Sequence, residues 1–362
     1  VVSDGPAPAA LTGLAAAFPG RLDQQGLWDG FFAGHFAGLP AAARVYAGAG
    51  VRTRHIVVDP REEDVSAWST AARMRRYLTE ALPLGAAAVL GALADAGREP
   101  AEIGMLAVAS CTGYASPGLD VLLGRDLGLP ADVQRLVVGH MGCYAAIPGL
   151  GAVTDYVRSR GRPAVLLCLE LTSLHVQPPA SGLDQVVSHA LFGDAAAAVV
   201  VEPASAGYAV RDVAARTDPD TAGYMTWDVT DLGFRMGLSR RVPAVLARHV
   251  HGVVTDLLGR HGLAPSDVDG WAVHPGGPRI LDVVGDRLAL DPAALADSRA
   301  VLREAGNCSS PTVLLVLDRL RARQARHVVL LAFGPGLTLY AALLAGPGGA
   351  PPAPRSSPRH RE

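Results

Sequence analysis

The chain has 362 residues, 49% of them hydrophobic and only 5% aromatic, with a formal charge of −2. Such a chain can bury a substantial core, which excludes a disordered protein or a disulfide scaffold, and its near-neutral charge leaves no general basic field for nucleic acid or an anionic membrane. All 32 basic residues are arginine, which excludes any mechanism needing a Schiff-base or P-loop lysine from this chain.

In chain order, the first 20 residues, with AALTGLAAAFPG, predict a short apolar arm or helix, and residues 67–97 predict one or two helices. Apolar runs at Ile103–Ser110, Arg135–Val138, Ala164–Leu171 and Ala195–Pro203 read as strands, most of them buried. A second series follows: a strand at Gly207–Arg216, a helix at Arg240–Gly262, a strand at Val268–Gly276 and a helix at Ser310–Arg323. His327–Ala345 predicts two closing strands around a Gly-Pro-Gly turn, and residues 347–362, rich in Pro, Ser and Arg, predict a disordered tail. These elements fit layered α/β architecture in two similar halves, 1–205 and 206–346, with sheets buried between helices. With no signal peptide and no charge-free apolar run long enough to span a bilayer, a cytoplasmic protein is expected, without membrane or nucleic-acid partners.

The four cysteines, Cys111, Cys143, Cys168 and Cys308, show no metal-ligand spacing. Cys143, in VVGHMGCYAAIPGLGAV, falls between a short strand and a helix of small residues. A thiol at a helix N-terminus meets the positive end of the helix dipole, which favours the thiolate; alternatively Cys143 is a small buried hydrophobe. A cysteine nucleophile needs a base and an oxyanion stabiliser. His274, in AVHPGGPRILD, ends an apolar strand, and Asn307, in REAGNCSSPTVLL, precedes a helix whose expected N-cap is Ser309 or Ser310. Read singly, the histidine is equally a structural residue, the asparagine a turn former, and FGPGLT (Phe333–Thr338) a turn between strands.

Together MGCYAA, HALFGDAAAA, VHPGGPRILD, GNCSSPTVLLVLD and FGPGLT resemble the type III polyketide synthases, the chalcone and stilbene synthase family, in the family's order. The resemblance runs from about Phe31 to Ala345. It implies a thiolase-like fold of duplicated α-β-α-β-α layered halves, a homodimer, and no cofactor or metal beyond CoA thioesters as substrates. It further implies that Cys143 accepts the acyl group of a starter acyl-CoA, that His274 partners the thiolate, and that His274 and Asn307 bind the thioester oxygen and promote malonyl-CoA decarboxylation. Phe192 and Phe234 match gatekeeper phenylalanines, and Cys111, Thr172, His175, Met225 and Ser309 match cavity positions.

The chain departs from plant chalcone synthases at several of these positions. Cys111 and His175 stand where those enzymes carry threonine, and Met225 where they carry glycine. Of the CoA-binding cations only Arg44 matches, with Ala41 and Gly48 at the lysine positions; Arg52, Arg54 and Arg279 are candidate substitutes. The alternative is delivery by an acyl carrier protein. The resulting expectation is iterative decarboxylative Claisen condensation, then cyclisation to a pyrone, resorcinol or polyhydroxylated aromatic. A single-condensation ketoacyl synthase, a thioester-dependent acyltransferase and a non-catalytic partner subunit remain the rival readings.

Overall fold

The structure is a computed structural model that describes residues 8–179 and 182–347; the expected tail lies outside the described residues beyond Pro347. Along the N-terminal half run β1 (Ala9–Ala17), β2 (Gly20–Asp23), three short helices α1 (Gln24–Leu27), α2 (Ala33–His35) and α3 (Ala42–Ala47), then β3 (Thr53–Ile56) and α4 (Thr70–Ala96). β4 (Met105–Ala109), α5 (Leu119–Asp126), β5 (Gln134–Val138), α6 (Ala146–Arg160), β6 (Ala164–Glu170), α7 (Leu183–Leu191) and β7 (Ala195–Pro203) complete it. The C-terminal half holds β8 (Tyr208–Thr217), the hairpin β9 (Met225–Thr230) and β10 (Gly233–Leu238), α8 (Val242–Gly259), β11 (Gly270–Val273) and α9 (Pro278–Leu288). It ends with α10 (Ala296–Ala305), α11 (Pro311–Ala322), β12 (His327–Gly334) and β13 (Thr338–Ala345).

Among the described residues nine strands form one sheet in the order β11, β12, β13, β8, β1, β7, β6, β4, β5. The run β4, β6, β7, β1 is parallel once and then antiparallel twice; so is the run β11, β12, β13, β8. The same polarity series therefore occurs in both halves, which β1 joins by pairing with β7 and β8.

Strand alternation explains the layering, because successive side chains face opposite sides of a sheet. Ala164, Leu166 and Cys168 of β6 face one core and Val165, Leu167 and Leu169 another. On β12, Val328, Leu330 and Ala332 join the first core, while Val329, Leu331 and Phe333 face a third. The first core encloses α6 and α11 between the half-sheets; α4 covers the outer face of one half, and α8 and α9 that of the other. Strands buried on both faces read as unbroken apolar runs, which is why they were legible. α4 is long and apolar enough to cross a membrane, yet it packs on β1, β6 and β7.

The N-terminal segment corrects an expectation. Instead of an arm or helix, Ala9–Ala17 is an inner strand. A strand buried on both faces shows no polar alternation, so its alanine-rich sequence lacks the signal that separates strand from helix. Gly13 lets α4 approach this strand: a Cβ there would lie 2.1 Å from the Ala92 carbonyl oxygen. Gly13→Ala is expected to lower stability by about 1–3 kcal/mol in urea unfolding. Gly34→Ala, with nothing within 4 Å of the added carbon, is expected to stay within about 0.5 kcal/mol.

Candidate active site

The loop that carries Cys143 is fixed by two glycines. Gly142 has φ 67°, and a Cβ on it would lie 2.9 Å from Pro335 Cδ. A Cβ on Gly334 would lie 3.3 Å from the Cys143 nitrogen and 3.0 Å from Tyr144 Cδ1. The FGPGLT segment is thus more than a link between β12 and β13: its backbone supports the turn that presents Cys143. Residues 142–144 form a 3₁₀ turn leading into α6, and Cys143 is 6% exposed.

His274 continues β11, its N–H donating to the Leu331 carbonyl at 2.8 Å, while its own carbonyl accepts from Gly276 N at 3.0 Å. The imidazole is buried edge-on to Phe333, with centroids 5.8 Å apart, and neither ring nitrogen has a hydrogen-bond partner among the described residues. Asn307 is tied to the LFGD segment: its N–H donates to the Leu191 carbonyl at 2.8 Å, and its carbonyl accepts from Gly193 N at 3.0 Å. Its side-chain oxygen accepts from Ser309 N at 2.8 Å, which fixes the amide orientation and leaves its –NH2 as the donating end. Ser310 is the N-cap residue of α11, as expected, but its side chain makes no capping bond and its Oγ donates to Glu170 Oε1 at 3.2 Å.

Burial dominates the electrostatics. It pushes the Cys143 thiol up to about 12, partly offset by Ser309, Asn307 and the cysteine's own backbone N–H. A helix dipole supplies at most about 2 kcal/mol, too little to reverse the loss of hydration. Burial likewise drives His274 down to about 3. Each group alone prefers to be neutral, while a thiolate beside an imidazolium offsets both penalties at once. Both side chains face the same cavity.

Cys143, His274 and Asn307 line one cavity of about 520 Å³, together with Phe192, Met225, Met236 and Phe333. A smaller chamber of about 20 Å³ lies beyond Cys143, lined by Cys111, Thr172, Phe192, Trp227, Met236 and Ser309. Phe192 lines both spaces, so it stands between them. The structure therefore brings together the Cys-His-Asn set, Phe192, Met225, Cys111, Thr172 and Ser309. Arg44 and Arg279 line the larger cavity.

Four expected positions fall elsewhere. His175 is buried behind the chamber with both nitrogens engaged, Nε2 at 2.7 Å from the Thr112 carbonyl and Nδ1 accepting from Phe234 N at 2.9 Å. Phe234 stacks on it at 4.6 Å and lines neither space, held back by that contact. Arg54 is 3% exposed because its guanidinium donates to Gln24, to the His189 carbonyl and to the Phe192 carbonyl, at 2.8 Å for the last. It positions the LFGD segment and has no free donor face for a phosphate. Arg52 lines a separate cleft with Trp28 and Tyr46.

Two features escaped the sequence reading. Trp227 donates Nε1–H to the Cys111 carbonyl at 2.8 Å and closes the chamber; strand alternation from Met225 would have placed it on the same face. Glu170 is fully buried, accepting from Cys111 N at 3.0 Å and Thr112 Oγ1 at 2.8 Å. Burial raises its pKa, opposed by these bonds. One acid inside the apolar run AVLLCLEL was the available signal.

Family models for chalcone and stilbene synthases match this chain, the N-terminal domain over residues 44–204 and the C-terminal domain over 211–346. A 1,3,6,8-tetrahydroxynaphthalene synthase of Streptomyces peucetius subsp. caesius is 39% identical over 83% of this chain and 82% of its own. The alpha-pyrone synthesis polyketide synthase-like Pks18 of Mycobacterium tuberculosis is 35% identical over 82% of this chain and 80% of its own. Among solved structures, PKS-I of the brown alga Ectocarpus siliculosus superposes with TM-score 0.90 at 28% identity, covering 95% of this chain and all (100%) of that one. The tetrahydroxynaphthalene synthase of Streptomyces coelicolor gives TM-score 0.88 at 30% identity, covering 93% and 99%.

The geometry predicts a pH signature. His274→Ala is expected to deprive Cys143 of its proton acceptor, and burial, which raises the thiol pKa, keeps the neutral form dominant through the ordinary range. Iodoacetamide inactivation should then rise about tenfold per pH unit from about pH 7 to 10. Near pH 7 the unmodified protein should react at least about tenfold faster than the variant, the gap closing as pH rises. Superimposable profiles would show that His274 takes no proton from Cys143.

Proposed function

Because the chain belongs to the chalcone and stilbene synthase family and is a type III polyketide synthase, we propose that its Cys143, His274 and Asn307 carry out iterative decarboxylative condensation. The single observation that carries this reading is their convergence on one largely apolar cavity, from the turns that lead into the two central helices and from the end of β11.

In the loading step, Cys143 sulfur attacks the starter thioester carbonyl as its proton passes to His274 Nε2. The tetrahedral oxyanion accepts hydrogen bonds from the Asn307 amide, and collapse expels CoA thiolate, which takes the proton back. In extension, malonyl thioester loses CO2, and the electron pair left behind becomes an enolate whose oxygen is held by His274 and Asn307. The enolate carbon attacks the Cys143-bound acyl carbonyl; the carbon–sulfur bond breaks, Cys143 leaves as thiolate and the chain has grown by one ketide. Reloading of that product onto Cys143 begins the next round, and cyclisation ends the series. Met225, Met236, Leu183, Val187 and Leu191 give the cavity an apolar wall suited to an alkyl starter. Their flexible or branched side chains contact hydrocarbon without demanding hydrogen bonds.

The reading includes a cytoplasmic homodimer. Val137 on the edge strand β5 is 58% exposed, and Tyr114 and Val121 nearby in sequence are 71% and 38% exposed. An unpaired edge with apolar side chains favours association with a second copy.

The test is incubation with carbon-13 malonyl-CoA and starters from short branched to long linear, followed by mass spectrometry of products. Products carrying several labelled ketides, cyclised and absent with Cys143→Ala, are expected. One extension per starter would indicate a single-condensation synthase, and acyl transfer without CO2 release an acyltransferase. Asn307→Ala should slow condensation about a hundredfold to a thousandfold while leaving acyl loading detectable. Trp227→Ala, which opens the closed chamber, should shift products toward longer chains.

A further inference from the structure

A second space of about 520 Å³ lies on the other side of α3 from the cavity that holds Cys143. Arg44 and Val45 of this helix line the Cys143 cavity, whereas Ala43, Tyr46 and Ala47 line the second cleft, so α3 stands between the two. Ala43 and Ala47 are exposed and carry only a methyl group, which keeps the space over the helix open. Half-buried Trp28 walls the cleft above buried Tyr46, with ring centroids 4.8 Å apart and planes inclined at 45°. Arg52, just before β3, also lines it; it is exposed, and among the described residues its side chain makes no hydrogen bond or ion pair. The other polar side chains of the cleft are occupied. Asp23 Oδ2 accepts from Gly26 N at 2.9 Å, and Gln25 Nε2 donates to Asp29 Oδ1 at 3.0 Å. Gln24 Nε2 donates to the Ala190 carbonyl at 2.9 Å while its Oε1 accepts from Arg54 Nε at 2.9 Å, and Tyr46 Oη donates to the His189 carbonyl at 2.9 Å.

One unengaged guanidinium beside two aromatic rings selects a flat apolar ligand that bears a negative charge. Ring faces accept another ring in offset or inclined stacking, and a guanidinium meets a carboxylate through two parallel N–H···O bonds. A cationic ligand would face Arg52 with like charge, and a neutral one would leave that guanidinium unused. We propose that this cleft is a second binding site, for a small planar aromatic acid whose ring lies against Trp28 over Tyr46 and whose carboxylate pairs with Arg52. The site is separate from the cavity that holds Cys143 and needs none of its residues. It is held open from below by groups that also hold the segment leading to Phe192, since Gln24 and Tyr46 bond the carbonyls of Ala190 and His189.

The test titrates naphthalene carboxylate into the full chain labelled with fluorotryptophan and follows it by fluorine NMR. The four tryptophans report on different places: Trp28 on the cleft, Trp227 on the chamber beyond Cys143, and Trp68 and Trp271 on the cores under the helices. Trp28→Phe assigns the first resonance. The Trp28 signal is expected to move saturably while that of Trp227 stays in place. Arg52→Glu should weaken binding at least about tenfold, and Arg52→Gln should act in the same direction. Arg44→Glu, the same charge change on the other side of α3, should alter it by less than about twofold. Naphthalene methanol, which has the ring without the charge, should bind at least about tenfold more weakly than the carboxylate and be indifferent to Arg52→Glu. A Trp28 resonance that does not move, or equal affinity in Arg52→Glu, would overturn the site. A shift confined to Trp227 and sensitive to Arg44→Glu would put the probe in the Cys143 cavity and overturn it as well.

Discussion

The enclosure of α6 and α11 between the half-sheets positions everything that converges on Cys143. Both helices are buried along most of their length in the core shared by the two halves. Burial of their N-terminal turns leaves those ends little freedom to slide, because close-packed interiors resist displacement. The chain enters α6 through the turn carrying Cys143 and enters α11 shortly after Asn307. One packing arrangement therefore fixes both groups, and β11, locked to β12, adds His274 from the C-terminal half.

The same burial sets the chemical character of the site. Water exclusion makes a lone thiolate and a lone imidazolium each unfavourable, which the directions of both pKa shifts express. It also strengthens hydrogen bonds to an oxyanion that develops in the cavity. Burial by itself thus favours the neutral thiol and the neutral imidazole. Beyond Cys143, the chamber is small because Trp227 and Met236 project into it, while Glu170 ties Cys111 and Thr112 to its floor. Room for a growing chain lies mainly on the outer side of Phe192.

Sequence pattern revealed the parts of the fold whose physics is local. Doubly buried strands such as Ala164–Glu170 are unbroken apolar runs, and the glycines of MGCYAA and FGPGLT mark turns where backbones touch. What stayed hidden depends on distant contacts. Ala9–Ala17 becomes a strand only because β7 and β8 flank it. His175 and Phe234 occupy each other instead of a cavity, through a backbone bond and a ring stack between residues far apart in sequence. Arg54 is spoken for by carbonyls of the LFGD segment, whereas Arg240, with no motif to mark it, lines the cavity that holds Cys143. Spacing along the chain identifies residue types suited to a task, but only the packed structure shows which donors are already used.

The most direct test of the account is the identity of the cysteine that becomes acylated. The protein would be mixed with a starter acyl-CoA in the absence of malonyl-CoA, quenched in acid, digested, and its four cysteine peptides weighed. The acyl mass is expected on the Cys143 peptide, with Cys111, Cys168 and Cys308 unmodified. Acylation at Cys111, or a covalent adduct on none of the four, would contradict it.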